Sequence, residues 1–412
     1  MNYKRSTSTE NHLPHDRKGF VNPSNSQWKI ILLMALGTGL VGIDSFLIAP
    51  MFPTIAKDLD LNYGDISMIN AALAPGFAIA ALFMGNLSDH VGRRKVLVGS
   101  MVAFTLMIGA SGLAEGVIGL ILVRIMMGFA DGAFMAPSIS ATLEAAPPKH
   151  RGLAMGFKEM MLPLCGLALA PFIVGMLLPH MSWRWIFILF SIPALVVTIA
   201  VWYVFPHEPE VKTVNRSILD DWRIVLTYRN IWVLMGIMFC CVGTLVSTTG
   251  LMPSFLIDYR QLSHIEMGSV MASIGFGAVL GNLTLPMLSD YIGRRPILLV
   301  SALVITVALW ELAHAETMWA IFFWLGTFNL FNFACITLCV GPIASETVPT
   351  AQMATATGIL IATGQLTGGM IIPVAVGQVA DNFGIEHILW VPMALMGIAF
   401  FLALFLKETR QN

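Results

Sequence analysis

The chain has 412 residues, of which 57% are hydrophobic and only 11% charged, with a formal net charge of −1. A soluble domain carries roughly 25% charged residues, so a single water-soluble core is excluded, and a mean hydropathy of +0.78 makes lipid the solvent. In lipid every backbone polar group must be satisfied internally, and apolar runs of about 20 residues without period-two alternation select helices over a barrel.

The first 27 residues are polar and read as a disordered cytoplasmic tail. They form no signal peptide, because the apolar stretch that begins at Trp28 is too long and lacks a small-residue cleavage site after it. Six spans are predicted near 28–54, 66–87, 96–114, 117–143, 152–178 and 183–205, forming an N-terminal bundle over 28–205. The charged stretch 206–229 is the cytoplasmic middle linker. Six further spans are predicted near 230–257, 266–288, 297–314, 318–344, 352–379 and 386–406, a C-terminal bundle over 230–406 followed by a cytoplasmic tail, 407–412. An even number of spans places both termini on one side. Lys and Arg decide which: one set of connections holds Arg93, Arg94, Lys95, Lys149, Arg151, Arg294 and Arg295, the other only Lys57, Arg184 and Arg260. That bias puts both termini in the cytoplasm. The five cysteines lie inside apolar segments without metal-ligand spacing and read as packing residues.

The sequence repeats at a separation of 201–202 residues. Leu87-Ser88-Asp89-His90-Val91-Gly92-Arg93-Arg94 returns as Leu288-Ser289-Asp290-Tyr291-Ile292-Gly293-Arg294-Arg295. Glu144, Pro147, Gly166, Pro171 and Gly175 return as Glu346, Pro349, Gly368, Pro373 and Gly377. Six spans per half give the copies one orientation, so they are parallel repeats about an axis along the membrane normal, with a site between them at mid-depth.

The run Gly85 to Lys95 resembles the signature loop between helices two and three of the major facilitator superfamily, with an echo between helices eight and nine. Leu122 to Gly132 resembles the helix-four motif of the same superfamily, and the likeness spans essentially the whole chain. It implies an all-α membrane protein of twelve transmembrane helices in two parallel-related six-helix bundles. Asp89 can then face the positive end of a neighbouring helix, and Arg93 or Arg94 can pair with Glu144. The repeat copies this set as Asp290, Arg294 or Arg295, and Glu346. These eight residues are expected to form a cytoplasmic gate whose contacts break when the halves rock.

Charge inside the membrane marks function, because it is costly unless it faces a cavity or a partner. Asp44 lies in the first span, while Arg124 and Asp131 stand seven apart, two turns along one face of the fourth. At mid-depth, desolvation favours a neutral carboxyl and a nearby guanidinium a charged one, so Asp44 and Asp131 are candidate proton carriers; the alternative is a static ion pair. Arg124 is read as an anion-binding group or one that tunes the acids. The spacing resembles the anion:cation symporter branch, which couples organic-anion uptake to protons, although Ser45 stands where that branch often has arginine. Lys158 and Glu159 are sequence neighbours on different helix faces, so they are not expected to pair. The segment from Gly166 to Gly175 partly resembles the drug:proton antiporter motif, with Ala170 in place of a glycine. In the second half Asn329, Asn332 and Gln365 are candidate solute contacts, or interhelical glue.

No Walker-type loop, His-Glu-x-x-His motif or soluble catalytic domain is present. An enzyme, a cofactor, a bound metal and a nucleic-acid partner are therefore not expected. The expected function is secondary active transport of a small organic acid by proton-coupled alternating access, in a monomer spanning a bacterial inner membrane; the alternative is a proton-coupled multidrug exporter.

Overall fold

The computed structural model describes residues 23–147, 150–205, 218–349 and 352–409. Most of the predicted N-terminal tail (1–22), residues 206–217 of the predicted linker and the last three residues of the predicted C-terminal tail lie outside the described residues. Among the described residues, twelve helices are long and apolar enough to cross a membrane. The first six are α1 (Gln27–Leu59), α2 (Tyr63–Met84), α3 (Arg93–Ser111), α4 (Val117–Ala145), α5 (Arg151–Leu177) and α6 (Trp183–Val204). The second six are α7 (Arg229–Tyr259), α8 (His264–Ile292), α9 (Arg294–His314), α10 (Met318–Thr347), α11 (Met353–Phe383) and α12 (Ile385–Leu404).

Several helices begin earlier than their apolar windows, because the first turn is polar and capped. At the start of α2 the Asn62 side chain accepts the Asp65 N–H while Asp65 accepts the Asn62 N–H. Ser263 and Glu266 make the same reciprocal box at the start of α8, 201 residues later. Between α2 and α3 the chain turns at Gly92 with φ +99°, and between α8 and α9 at Gly293 with φ +112°, a conformation that disfavours any side chain. α5 carries a π-helical stretch at Leu164–Leu169, and α11 carries one at Gly364–Gly369. The repeat is thus a repeat of caps, turns and helix defects as well as of letters.

Within each half, small residues let backbones meet. Gly76 on α2 lies against the α4 backbone at Ile125, and its counterpart Gly277 on α8 lies against the α10 backbone at Gly326. Between halves, α2 packs on α11, α5 on α8, and α1 on α7. Large apolar side chains such as Leu106, Trp185, Val196, Trp319 and Phe401 point outward, as a lipid-solvated bundle requires.

Candidate functional site

α1 does not run straight through. Its α-helical part ends at Phe46, a 3-10 turn covers Ala49–Met51, and the helix resumes at Phe52. The Pro50 ring excludes a continued α-helix against the Phe46 carbonyl. At this helix end Arg124 of α4 binds two carbonyls of the last turn: Nη1 donates to the Asp44 carbonyl at 3.0 Å and Nη2 to the Ser45 carbonyl at 2.8 Å. Two turns along α4, Asp131 accepts the Ser45 hydroxyl at 3.0 Å. The Asp44 and Asp131 side chains are neighbours at this break, both beside Arg124.

All three charged side chains are buried, with relative exposures of 1% for Asp44, 2% for Arg124 and 0% for Asp131. Neither oxygen of Asp44 has a hydrogen-bond donor among the described residues. Two carboxylates and one guanidinium carry one net negative charge, and one proton makes the trio neutral. An uncompensated charge at this burial costs several kcal/mol. Asp44 and Asp131 face each other and Arg124 inside the first bundle, not the lipid. Ser45, which the sequence marks only as a missing arginine, supplies the hydroxyl that orients Asp131.

Lys158 and Glu159 do pair, contrary to expectation, with Nζ 2.8 Å from Oε1. A long lysine stem can reach across to its neighbour's carboxylate even though the two roots diverge.

In the second half, Asn332 donates to the Cys241 carbonyl at 3.2 Å, tying α10 to α7, and Asn329 donates to Leu325 of its own helix at 3.1 Å. Each asparagine keeps a buried carbonyl oxygen without a donor among the described residues, as do the hydroxyls of Thr248 and Ser273. Gln365 is half-buried on the π-helical stretch of α11, its amide oxygen against Gly369.

The expected gate residues make their ion pairs within single halves. Arg93 pairs with Glu144. Arg94 donates to the Trp202 carbonyl and stacks 5.6 Å from its ring centroid. Arg294 binds Glu346 at 2.8 Å and Asp290 at 2.6 Å. Asp290 therefore faces an arginine of the next turn rather than a helix end; the side chain of Asp89 lies outside the described residues. Arg295 donates to the Leu404 carbonyl at 2.8 Å. Among the described residues these ion pairs brace each bundle, and rigid rotation of the halves does not by itself break them.

Two residues at the bundle ends carry no sequence signal for their roles. Glu408 accepts the backbone N–H groups of Arg294 and Arg295 at 2.9 and 3.0 Å, capping α9. At the opposite face Asp381 of α11 accepts the N–H groups of Tyr63 and Gly64, both at 2.9 Å, closing the second half onto the start of α2. Both depend on tertiary approach across long sequence separations.

Comparison with known proteins agrees with this architecture. The chain is 25% identical over 409 residues to the cis,cis-muconate transport protein of Acinetobacter baylyi, covering 93% of this chain and 96% of that one. It is 24% identical over 305 residues to the multidrug resistance protein MdtG of Salmonella dublin, covering 71% and 74%. The solved structure of a bacterial homologue of the lysosomal transporter Spinster, in an inward-facing conformation, superposes with a TM-score of 0.78 at 16% identity, covering 95% of this chain and all of that one. The sequence profile of the Major Facilitator Superfamily matches residues 34–274 and 248–412. With twelve membrane-spanning helices in two repeated bundles, this chain belongs to that superfamily and is a solute transporter, not an enzyme.

Proposed function

We propose that the chain carries a small organic acid together with protons by alternating access, with Asp44 and Asp131 as the proton carriers. The buried trio of Asp44, Arg124 and Asp131 is the observation that carries this reading. Neutral with one proton and charged without it, the trio favours the closed arrangement only while loaded, and opening to water lowers the cost of release. Arg124 sets this balance while holding the broken end of α1. Asn329, Asn332 and Gln365 offer hydrogen bonds to the solute from the second half. The similarity to a muconate transport protein supports an organic acid as cargo; similarity to a multidrug resistance protein supports an exporter as the second reading. The lysine and arginine bias supports a bacterial inner membrane with both termini cytoplasmic. The ion pairs at the bundle ends then brace the cytoplasmic face, and one chain suffices for the path.

Proteoliposomes with an inward proton gradient of one pH unit test the reading with radiolabelled cis,cis-muconate. One proton per solute supplies about 1.4 kcal/mol, a tenfold accumulation. Asp131→Asn is expected to abolish accumulation while leaving muconate exchange measurable. Accumulation by the variant at the wild-type level removes Asp131 as a carrier. Ethidium extrusion with no uptake of any acid selects the exporter.

A further inference from the structure

We propose that Lys158 is the docking group for the carboxylate of the transported solute, with Glu159 as a built-in counter-ion that the solute displaces. This rests on the organic-acid reading above. Among the described residues of the first bundle, the fully buried cations are Arg124 and Lys158. Arg124 keeps a buried Nε without a partner among the described residues, but its two terminal nitrogens hold backbone carbonyls of α1 and its charge is already set against the two acids. An anion docking there would overturn the neutrality of the trio. Lys158 is differently placed. Its side chain is 0% exposed, and its ammonium makes one hydrogen bond, to Glu159. An ammonium has three donors, so two remain for an incoming carboxylate.

The helix faces place Lys158 against α1 and Glu159 away from the exposed apolar side of α5. One turn before Lys158, Ala154 packs on Ile31 of α1 and on Ala145 and Ala146 at the end of α4. One turn after it, Met161 and Leu162 lie against Gly39 and Gly42 of α1. Lys158 therefore roots on the α1 side. Further along α5, Ala168 and Gly175 meet Gly275 and Gly268 of α8, in the other half. The apolar side chains of Leu153 and Phe157 are exposed. Glu159 is about 200° around the helix from Phe157, on the side away from these exposed apolar side chains. Its side chain is 40% exposed. A carboxylate so exposed is tenable on an aqueous passage and not against hydrocarbon.

Lys158 lies about 12 Å on the cytoplasmic side of Asp44, eight residues of helical rise along α1. In this position it receives a carboxylate without touching the proton trio. The arriving carboxylate takes the open donors of Nζ, and Glu159, already partly solvated, turns into the water of the passage. The charge at Lys158 stays compensated throughout, as a buried ammonium demands.

Binding of radiolabelled cis,cis-muconate to the purified full-length protein tests the assignment, with the dimethyl ester of the same acid as an uncharged comparison. The expected results are a loss of at least tenfold in muconate affinity for Lys158→Gln, retention within a few-fold for Lys158→Arg, and a tighter complex for Glu159→Gln. Affinity for the ester should not change in Lys158→Gln, a selectivity that a purely structural lysine would not produce. If the wild type binds muconate but Lys158→Gln binds it equally well, the Lys158 assignment falls and the organic-acid reading stands. If the wild type binds neither muconate nor any of a panel of mono- and dicarboxylates, both fall. Should Lys158→Gln fail to fold, Glu159→Gln decides: tighter muconate binding upholds the displacement, and unchanged or weaker binding overturns it.

Discussion

Replacing Arg124 by glutamine removes the cation that balances two buried acids and holds two carbonyls of a broken helix. Each guanidinium–carbonyl bond contributes about 1.5–3 kcal/mol, and removing one member of a buried charge cluster costs about 3–5 kcal/mol. Arg124→Gln is therefore expected to destabilise the folded protein by about 3–5 kcal/mol, because neutrality now requires a second proton on two neighbouring buried carboxyls. Adding Asp131→Asn removes that requirement: one protonated Asp44 is neutral alone, and the carbonyl of the substituted amide still accepts the Ser45 hydroxyl. The double variant should then recover about 1–2 kcal/mol relative to the single, a coupling within the range for residues in contact. Thermal unfolding in detergent, read by a thiol-reactive fluorophore, suits this chain because Cys240, Cys241, Cys335 and Cys339 are buried and free. The reasoning is refuted if Arg124→Gln unfolds at the wild-type temperature, or if the double variant loses the sum of the two single losses.

Two further outcomes follow from the bundle ends. Arg294 is 9% exposed and binds Glu346 and Asp290, whereas Arg93 is 20% exposed and its partner Glu144 is 60% exposed. Arg294→Gln should lower the unfolding temperature clearly, and Arg93→Gln should cost at most about 1 kcal/mol; the reverse order in the same thermal assay would contradict the burial argument. Asp381→Ala removes a cap that α11 supplies to α2 across the halves, so the population opened on that face should rise roughly fivefold. Labelling of Ser67→Cys by a membrane-impermeant maleimide, on a cysteine-free background, measures it: Ser67 is buried at 2% exposure against Gly377, and an unchanged rate would show that Asp381 does not hold the face closed.

Much of the architecture is legible from hydropathy because lipid imposes one rule on every span: about 20 apolar residues with an internally satisfied backbone. The helix starts are less legible, since the capped first turns at Asn62 and Ser263 are polar and fall outside any apolar window. At the candidate site, the two-turn spacing of Arg124 and Asp131 already places them on one face. Periodicity does not reveal that α1 breaks beside them and presents its carbonyls to Arg124, nor that Ser45 reaches Asp131. Lys158 shows a different failure. Helix faces describe where side chains root, and a lysine's four methylenes let its charge end elsewhere. Glu408 and Asp381 accept backbone N–H groups more than a hundred residues distant, and no local pattern announces such a bond.

The repeat separates frame from function. Caps, glycine turns, π-helical stretches and the Gly76 and Gly277 contacts recur in both halves, so duplication preserved what makes a six-helix bundle pack. The charges buried inside the membrane did not recur. At the same 201-residue separation, Asp131 corresponds to Asn332 and Arg124 to Leu325. Asn332 is buried at 0% exposure, as Asp131 is, yet it donates to the α7 backbone and has no proton to exchange. One position in the frame thus holds a titratable acid in the first half and a fixed amide in the second. A transporter that couples a proton to a solute needs at least one site whose charge changes and another that recognises without changing. Under the function proposed above, two bundles with equivalent frames and unequal polar contents divide those tasks, while their shared packing keeps the halves matched as they move.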